Sequence, residues 1–84
     1  MPRITANPPN LEALFLHPFE AIVVELTLAD DLYTVRHKWR TPVDDEDTWR
    51  ILSTRTFDDL TFAQLHWAKT LISAIETHER KHTL

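Results

Sequence analysis

Residues 19–40, FEAIVVELTLADDLYTVRHKWR, decide the fold of this chain. Their first part is apolar and β-branched, which predicts a strand over residues 19–28. Their last part alternates between two kinds of side chain, which predicts a second strand over residues 32–40. Asp30 and Asp31 lie between the two strands and are typical turn residues. The stretch therefore predicts a β-hairpin.

The second strand separates an apolar face from a polar one, because successive side chains of a strand point to opposite faces. We expect the apolar face to join the core, with His37 as a core or edge histidine whose hydrogen bonds are satisfied. We expect the other face to be solvated. The apolar set is Tyr33, Val35, His37 and Trp39, and the polar set is Thr34, Arg36, Lys38 and Arg40.

The segment before the hairpin predicts an extended lead-in and one short helix. Three of the five prolines fall within residues 1–10, which predicts extended chain there. Asn10 suits a helix N-cap, and LEALFLH (residues 11–17) then predicts a short helix that Pro18 stops.

The segment after the hairpin predicts an acidic loop, a third strand over residues 48–57 and a long helix. In a regular third strand Trp49, Ile51 and Phe57 share a face with Arg55. Thr61 and Gln64 form a capping box at the start of the helix. The apolar arc of this helix comprises Leu65, Trp67, Ala68, Leu71, Ile72 and Ile75.

Together these elements predict a single α+β domain over residues 1–84. Its two layers are a three-stranded antiparallel sheet, after a short N-terminal helix, and one long C-terminal helix packed on the sheet.

Glycine and cysteine are both absent from the 84 residues. Without glycine the chain lacks the P-loop, dinucleotide-binding and nucleophile-elbow motifs, and turns with positive φ must fall on Asn or Asp. Without cysteine it has no disulfide and no thiolate metal site. We therefore expect no enzymatic activity and no cofactor.

The start of the chain lacks the apolar region of a secretory signal, and no apolar run approaches the roughly 20 residues that cross a bilayer. We therefore expect a cytoplasmic protein with no membrane contact.

The sequence HERKH at residues 78–82 fits the H-E-x-x-H pattern of zinc peptidases. A zinc site of that design needs a third protein ligand further along the chain, and only two residues follow. The basic side chains suit the negative end of a helix dipole. We interpret His78, Glu79 and His82 as a chance match at a solvated helix end and predict no metal site.

A basic stripe on the second strand suggests nucleic-acid binding. The strands are followed by a helix through the join TFDDLTFAQ (residues 56–64). A three-stranded sheet that exposes Arg and Trp and precedes such a helix resembles AP2-type and integrase arm-binding domains, over residues 32–75. That resemblance implies a sheet inserted in the major groove of DNA. In a regular third strand, however, Arg50 and Arg55 fall on opposite faces. The residues that would contact DNA are Arg36, Lys38, Arg40, Arg50 and Arg55.

An acidic stretch suggests the opposite kind of partner. PVDDEDTW (residues 42–49) carries four consecutive carboxylates in a chain of net charge −4. On one surface they would present a field that a DNA-binding protein mistakes for phosphate. Asp30-Asp31 and Asp58-Asp59 would add four further carboxylates to that surface, and a turn and a helix start explain these two pairs without a general acid.

Large aromatic residues remain that one small core does not absorb. Phe62 falls near the polar side of the predicted helix, and Trp49 lies beside the acidic stretch. Such residues often mark an interface, either with a second copy of the chain or with a larger protein.

The sequence therefore predicts a small non-enzymatic interaction protein. It is similar in type to the anti-CRISPR proteins of phages and mobile elements, which implies stoichiometric binding to a host protein with a basic nucleic-acid-binding groove. The alternatives are a DNA-binding accessory domain that uses Arg36, Lys38 and Arg40, and a homo-oligomeric assembly protein. The predicted partner-binding residues are Asp44, Asp45, Glu46, Asp47, Trp49 and Phe62.

Overall fold

The computed structural model describes residues 3–17, 20–41 and 48–82. They form one antiparallel sheet of five strands in the order β1-β2-β3-β4-β5, followed by one helix, α1. The predicted α+β class and C-terminal helix are confirmed, whereas the short N-terminal helix and the three-stranded sheet are wrong. The elements are β1 (Arg3–Asn7), β2 (Asn10–His17), β3 (Glu20–Ala29), β4 (Leu32–Arg40), β5 (Arg50–Phe57) and α1 (Leu60–His82).

The β3–β4 hairpin has the predicted position and turn. Ala29 pairs with Leu32, and the two residues between them have φ values of 53° at Asp30 and 62° at Asp31. Aspartate tolerates this left-handed conformation better than most residues, so it takes the place of the missing glycine. The strand β3 lies at the centre of the sheet and is buried on both faces over most of its length, in keeping with its continuous apolar sequence.

The predicted short helix is in fact β2. Leu11, Ala13 and Phe15 alternate along it and face the core. LEALFLH fits a helical period and a period of two equally well, and the pairing of all seven residues with β3 favours the strand. Asn10 caps no helix: its side-chain oxygen accepts a hydrogen bond from the backbone N–H of Leu28, at 3.1 Å.

The predicted lead-in contains an edge strand. Arg3–Asn7 pairs antiparallel with β2, and a turn at Pro8 and Pro9 joins the two strands. The chain is extended there, as the prolines suggest, but its backbone is hydrogen-bonded to the sheet.

The helix α1 packs on one face of the sheet, mainly over β3 and β4. Ala63 and Ala74 lie in this contact and are almost fully buried. Trp67 lies between them, and its indole N–H donates to the buried carbonyl of Val24 at 3.0 Å. Small residues at the contact bring the helix close, so the predicted arc is rotated and Leu65 and Ile72 point outward. Within the described residues, no helical stretch is long and apolar enough to cross a membrane.

The helix begins two residues earlier than the capping box predicts. Asp59 is the N-cap: its carboxylate accepts from the backbone N–H of Phe62 at 3.0 Å, and its carbonyl accepts from Ala63. Thr61 lies within the first turn. Asp59 also places a negative charge at the positive end of the helix dipole, which favours Asp59 over Thr61 as the N-cap.

A β-bulge in β5 changes the predicted faces of that strand. His37 pairs with Ser53, but Lys38 pairs with Ile51, so Leu52 is an extra residue. Ile51 and Trp49 consequently lie on the face away from α1, and Arg55 and Phe57 lie on the face towards it. The predicted single face for these residues is wrong, because a regular alternation cannot anticipate an inserted residue.

Replacing Trp67 with phenylalanine tests the contact between helix and sheet. W67F removes the donor to the Val24 carbonyl and leaves that buried oxygen unpaired. We expect the free energy of unfolding to fall by about 1–3 kcal/mol, as measured by urea denaturation followed by circular dichroism. The control is W49F, since Trp49 packs on the other face of the sheet. A loss below about 0.5 kcal/mol in W67F would show that this hydrogen bond contributes little.

Candidate interaction surfaces

The open face is the face of the sheet away from α1, and the described residues place no helix or strand over it. Arg36 lies on it directly opposite Glu25 of the neighbouring strand, and Lys38 lies two residues further along β4. The Lys38 ammonium lies 3.1 Å from the Glu25 carboxylate, and the Arg36 guanidinium lies 4.0 Å from it. One carboxylate thus balances part of the positive charge that the sequence predicts here.

Trp49 extends the open face beyond the start of β5. The Arg40 guanidinium lies 4.8 Å from the centre of its ring, and the Lys38 ammonium lies 5.7 Å away. Both distances are within the range of a cation–π interaction. The structure therefore brings Trp49, predicted as a partner-binding residue, together with two of the predicted DNA-binding cations.

The pairing of β5 with β4 removes two arginines from the predicted DNA-binding set. Arg50 pairs with Trp39 and Arg55 pairs with Val35, so both lie on the face towards α1. Arg50 lies 5.1 Å from the Trp39 ring centre. The two arginines share a face after all, but it is not the face of Arg36 and Lys38.

The α1–β5 surface comprises the outward side of α1 and the end of β5. Phe62, Leu65 and Ile72 are 64%, 52% and 57% exposed and lie along one side of the helix. Their spacing of three and seven residues places them in a row. Phe62 was predicted to lie outside the core, and its exposure confirms this. The surface is completed by Arg55, Phe57, His66 and Lys69, which line a groove of about 380 Å³ with Phe62 and Leu65.

Positive charge surrounds the floor of this groove. The Arg55 guanidinium lies 5.3 Å from the Phe57 ring centre, and the His66 ring lies 5.3 Å from the same ring. Burial lowers the pKa of His66, and the nearby charges of Arg55 and Lys69 lower it further. Because its pKa is lowered, His66 is neutral near pH 7. The groove is therefore apolar and aromatic, with the cations Arg55 and Lys69 beside it.

The His78 corner joins the end of α1 to the sheet. Glu20, only 6% exposed, accepts from the indole N–H of Trp39 at 3.1 Å, and its other oxygen lies 3.3 Å from His78 Nδ1. The His78 ring also packs near Phe15 and His17. The predicted solvated helix end is therefore wrong for His78, which connects α1 with β3 and β4. The sequence gives no signal for this contact, because it joins residues 58 positions apart.

The H-E-x-x-H match does not form a cluster in the described residues. Glu79 is exposed while His78 turns towards Glu20, and the side chain of His82 lies outside the described residues. No group of three or more histidine and carboxylate side chains in the described part of the chain is placed to hold a metal ion.

The predicted acidic contact residues Asp44, Asp45, Glu46 and Asp47 also lie outside the described residues. Of the predicted partner-binding set, the structure describes Trp49 and Phe62. They lie on different surfaces, Trp49 on the open face and Phe62 on the α1–β5 surface.

Comparison with known proteins identifies no relative. No family model, no curated protein and no solved structure matches this chain.

His37 occupies an unusual position on the apolar side of the sheet. Its Nε2 atom is buried and has no hydrogen-bond partner among the described residues, so the predicted satisfied histidine is wrong in this respect. Burial lowers the pKa of His37. The ring is therefore neutral near pH 7.

The lowered pKa values of His37 and His66 predict a loss of stability in acid. The unfolded chain, in which histidine titrates near pH 6.5, binds more protons than the folded chain just below that pH. The free energy of unfolding should therefore fall as the pH drops from about 7.5 to about 5.5. The measurement is urea denaturation across this range for the wild type and for H37Q/H66Q. If H37Q/H66Q lost as much free energy of unfolding in acid as the wild type, the loss could not be assigned to His37 and His66.

Proposed function

We propose that this chain is a non-enzymatic protein-interaction module that docks on a partner protein through the α1–β5 surface. The observation that carries the proposal is the row of Phe62, Leu65 and Ile72 on the outer side of α1. Each of these three side chains is more than half exposed, and together they form one row of apolar surface. Covering a large apolar side chain contributes roughly 1.5–3 kcal/mol, so a partner at this surface would gain substantial affinity.

The groove beside Phe62 defines what such a partner would present. Its floor is formed by Phe57 and Leu65, and its rim carries Arg55 and Lys69. An apolar side chain that enters the groove, with a carboxylate beside it, would match both properties. Aromatic residues in fully covered pockets usually dominate binding energy, which makes Phe62 the expected anchor.

An inhibitor of a host nucleic-acid-binding protein is the more specific form of this proposal. In it, Asp44, Asp45, Glu46 and Asp47 occupy the basic nucleic-acid groove of the host protein, while the aromatic residues anchor the contact. Its support is the sequence: four consecutive carboxylates and a net charge of −4. Such a protein would act stoichiometrically, in the cytoplasm of a bacterial or phage-infected cell.

Truncating the anchor tests the docking surface. The tagged chain, F62S/L65S and the control L16S are each used to capture proteins from nuclease-treated bacterial lysate, and the bound proteins are quantified by mass spectrometry. Leu16 is as exposed as Phe62 but lies on the open face. We expect one stoichiometric partner that the wild type and L16S retain, and that F62S/L65S binds at least about tenfold more weakly.

Two outcomes of that experiment would redirect the proposal. Equal capture by F62S/L65S would remove the α1–β5 surface from the interface. A complex of two copies of this chain, seen by sedimentation at rising concentration and lost in F62S/L65S, would replace the host protein with a homodimer. A further variant, D44K/D45K/D47K, tests the inhibitor form separately, since unchanged capture by this variant would exclude the acidic contact.

Nucleic-acid binding by the open face is a second candidate function. The observation that favours it is that Arg36, Lys38 and Arg40 share this face with Trp49. Cations that contact phosphates and an aromatic ring on which a base stacks are the usual components of such a surface. Glu25 opposes this function, because it lies within ion-pair distance of both Arg36 and Lys38.

This second candidate makes a quantitative prediction about salt. If three cations contact phosphates, affinity for a labelled DNA duplex should fall roughly 40-fold between about 50 and 200 mM salt. R36A/R40A should bind still more weakly, with a shallower dependence on salt, whereas the control K69A, altered on the other side of the molecule, should bind like the wild type. Fluorescence anisotropy measures all three. Equal binding by R36A/R40A and the wild type would exclude the open face.

A further inference from the structure

The groove of the α1–β5 surface carries two cations, Arg55 and Lys69. Both line the groove, and both are exposed. No ion pair joins either of them to a carboxylate of the described residues. Each is close enough to His66 to lower the pKa of that ring, so the two charges act at one place in the groove. A negative group bound there would be attracted by both.

Apolar and aromatic surface lies directly beside these charges. The Arg55 guanidinium is 5.3 Å from the centre of the Phe57 ring, and Phe62 and Leu65 complete the lining. The groove has a volume of about 380 Å³. A cavity of about 150 Å³ already holds benzene, so this groove has room for a large apolar side chain together with a carboxylate. A matching ligand carries the two groups close together.

This closeness restricts how a protein partner can supply both groups. Along an extended chain successive side chains point to opposite sides, so an internal acidic residue and an apolar residue on the same side are roughly 7 Å apart. In a carboxyl-terminal residue, by contrast, the α-carboxylate and the side chain are attached to the same Cα atom. The end of a chain therefore places charge and apolar surface closest together.

Apolar surface also continues along α1 beyond the groove. Ile72 is 57% exposed and lies three residues past Lys69, outside the groove lining. A small free acid would fill the groove and leave Ile72 uncovered. A peptide that ends in the groove can cover Ile72 with one of its earlier residues. The row of Phe62, Leu65 and Ile72 therefore favours a peptide over a small acid.

We propose that this groove binds the carboxyl terminus of the partner protein. The last side chain of the partner, which is large and apolar, lies against Phe57 and Phe62. Its α-carboxylate pairs with Arg55 and Lys69. Capture of a terminal carboxylate is one of the recurring modes of peptide recognition. This inference rests on the docking function proposed above and names the part of the partner that docks.

Three N-acetylated peptides provide the test. They are Leu-Ala-Phe with a free carboxyl terminus, the same peptide as its amide, and the amide of Leu-Ala-Phe-Ala-Asp, whose carboxylate is two residues from the phenylalanine. Each is titrated into the full chain, and binding is followed by the NMR signals of the His66 ring. We expect the free acid to bind at least about tenfold more tightly than either amide. Equal affinities for the free acid and either amide, or no shift with the free acid, would overturn the proposal.

A small acid is a further comparison. 3-Phenylpropanoate has the ring and the carboxylate of the terminal residue but no peptide chain. We expect it to bind more weakly than the acid peptide, since it cannot cover Ile72. Equal affinity would overturn the peptide as the occupant and assign the groove to a small free acid.

The pKa of His66 gives a second readout of where the carboxylate binds. Burial and the charges of Arg55 on β5 and Lys69 on α1 lower this pKa in the free chain. A carboxylate that pairs with these cations favours the charged imidazolium. The pKa of His66 should therefore be higher in the complex with the acid peptide than in the complex with its amide. Equal pKa values in the two complexes would place the carboxylate outside the groove.

Two double variants assign the preference to the two cations. R55Q/K69Q should bind the acid peptide and its amide with similar affinities. The control R3Q/R50Q removes the same number of charges outside the groove and should keep the preference of the wild type. A preference for the acid peptide that persists in R55Q/K69Q would overturn the assignment.

The docking function itself is tested by a different result. If F62S/L65S loses the captured partner but the acid and amide peptides bind the wild type equally, docking at this surface stands and the carboxyl terminus is rejected as its ligand. If F62S/L65S retains the partner, docking at this surface is rejected, whatever the peptides show.

Discussion

A single helix covers one face of a five-stranded sheet that is wider than the helix. This difference in width determines which parts of the sheet are buried and which stay open. Five strands spaced about 4.8 Å apart span roughly 20 Å, whereas a helix with its side chains is about 10 Å wide. The first part of α1 lies near Phe57 of β5, and the last part of α1 lies near Glu20 of β3. The helix therefore crosses the sheet obliquely. An apolar cavity lined by His37 and Trp39 lies in the region that this oblique path leaves partly uncovered.

The contacts that hold the helix in place are few and specific. Ala63 and Ala74 allow close approach, and Trp67 hydrogen-bonds to a carbonyl of the central strand. At the far end, Glu20 joins Trp39 of β4 to His78 of α1. Because a chain of this size has a thin core, these polar contacts help to set the position of the helix. On the outer side of α1, Phe62, Leu65 and Ile72 are exposed among polar neighbours, and this exposure supports the docking proposal.

The sequence predicts the parts of this fold that depend on local pattern. Residues 32–40 alternate regularly and are bounded by Asp30-Asp31, so the hairpin needs no other element to specify it. Residues 11–17 fit two periods, and only pairing with β3 decides between them. The bulge at Leu52 and the contact between Glu20 and His78 have no local signal, because both arise from how distant segments meet. For the candidate site, the exposure of Phe62 could be predicted, whereas the placement of Arg55 and His66 beside it could not, since the pairing of β5 with β4 sets the face of Arg55.

The same bulge has a consequence for the solution behaviour of the protein. A flat edge strand invites pairing with another chain, which leads to aggregation, and β5 is an edge strand with every residue but its last exposed. The extra residue at Leu52 interrupts the regular row of backbone donors and acceptors, and Arg50 and Arg55 place charge on either side of it. At the opposite edge, Arg3 and the prolines that follow β1 limit pairing in a similar way. The bulge and these charges therefore disfavour pairing of the sheet edges with another chain, which limits fibrillar self-association.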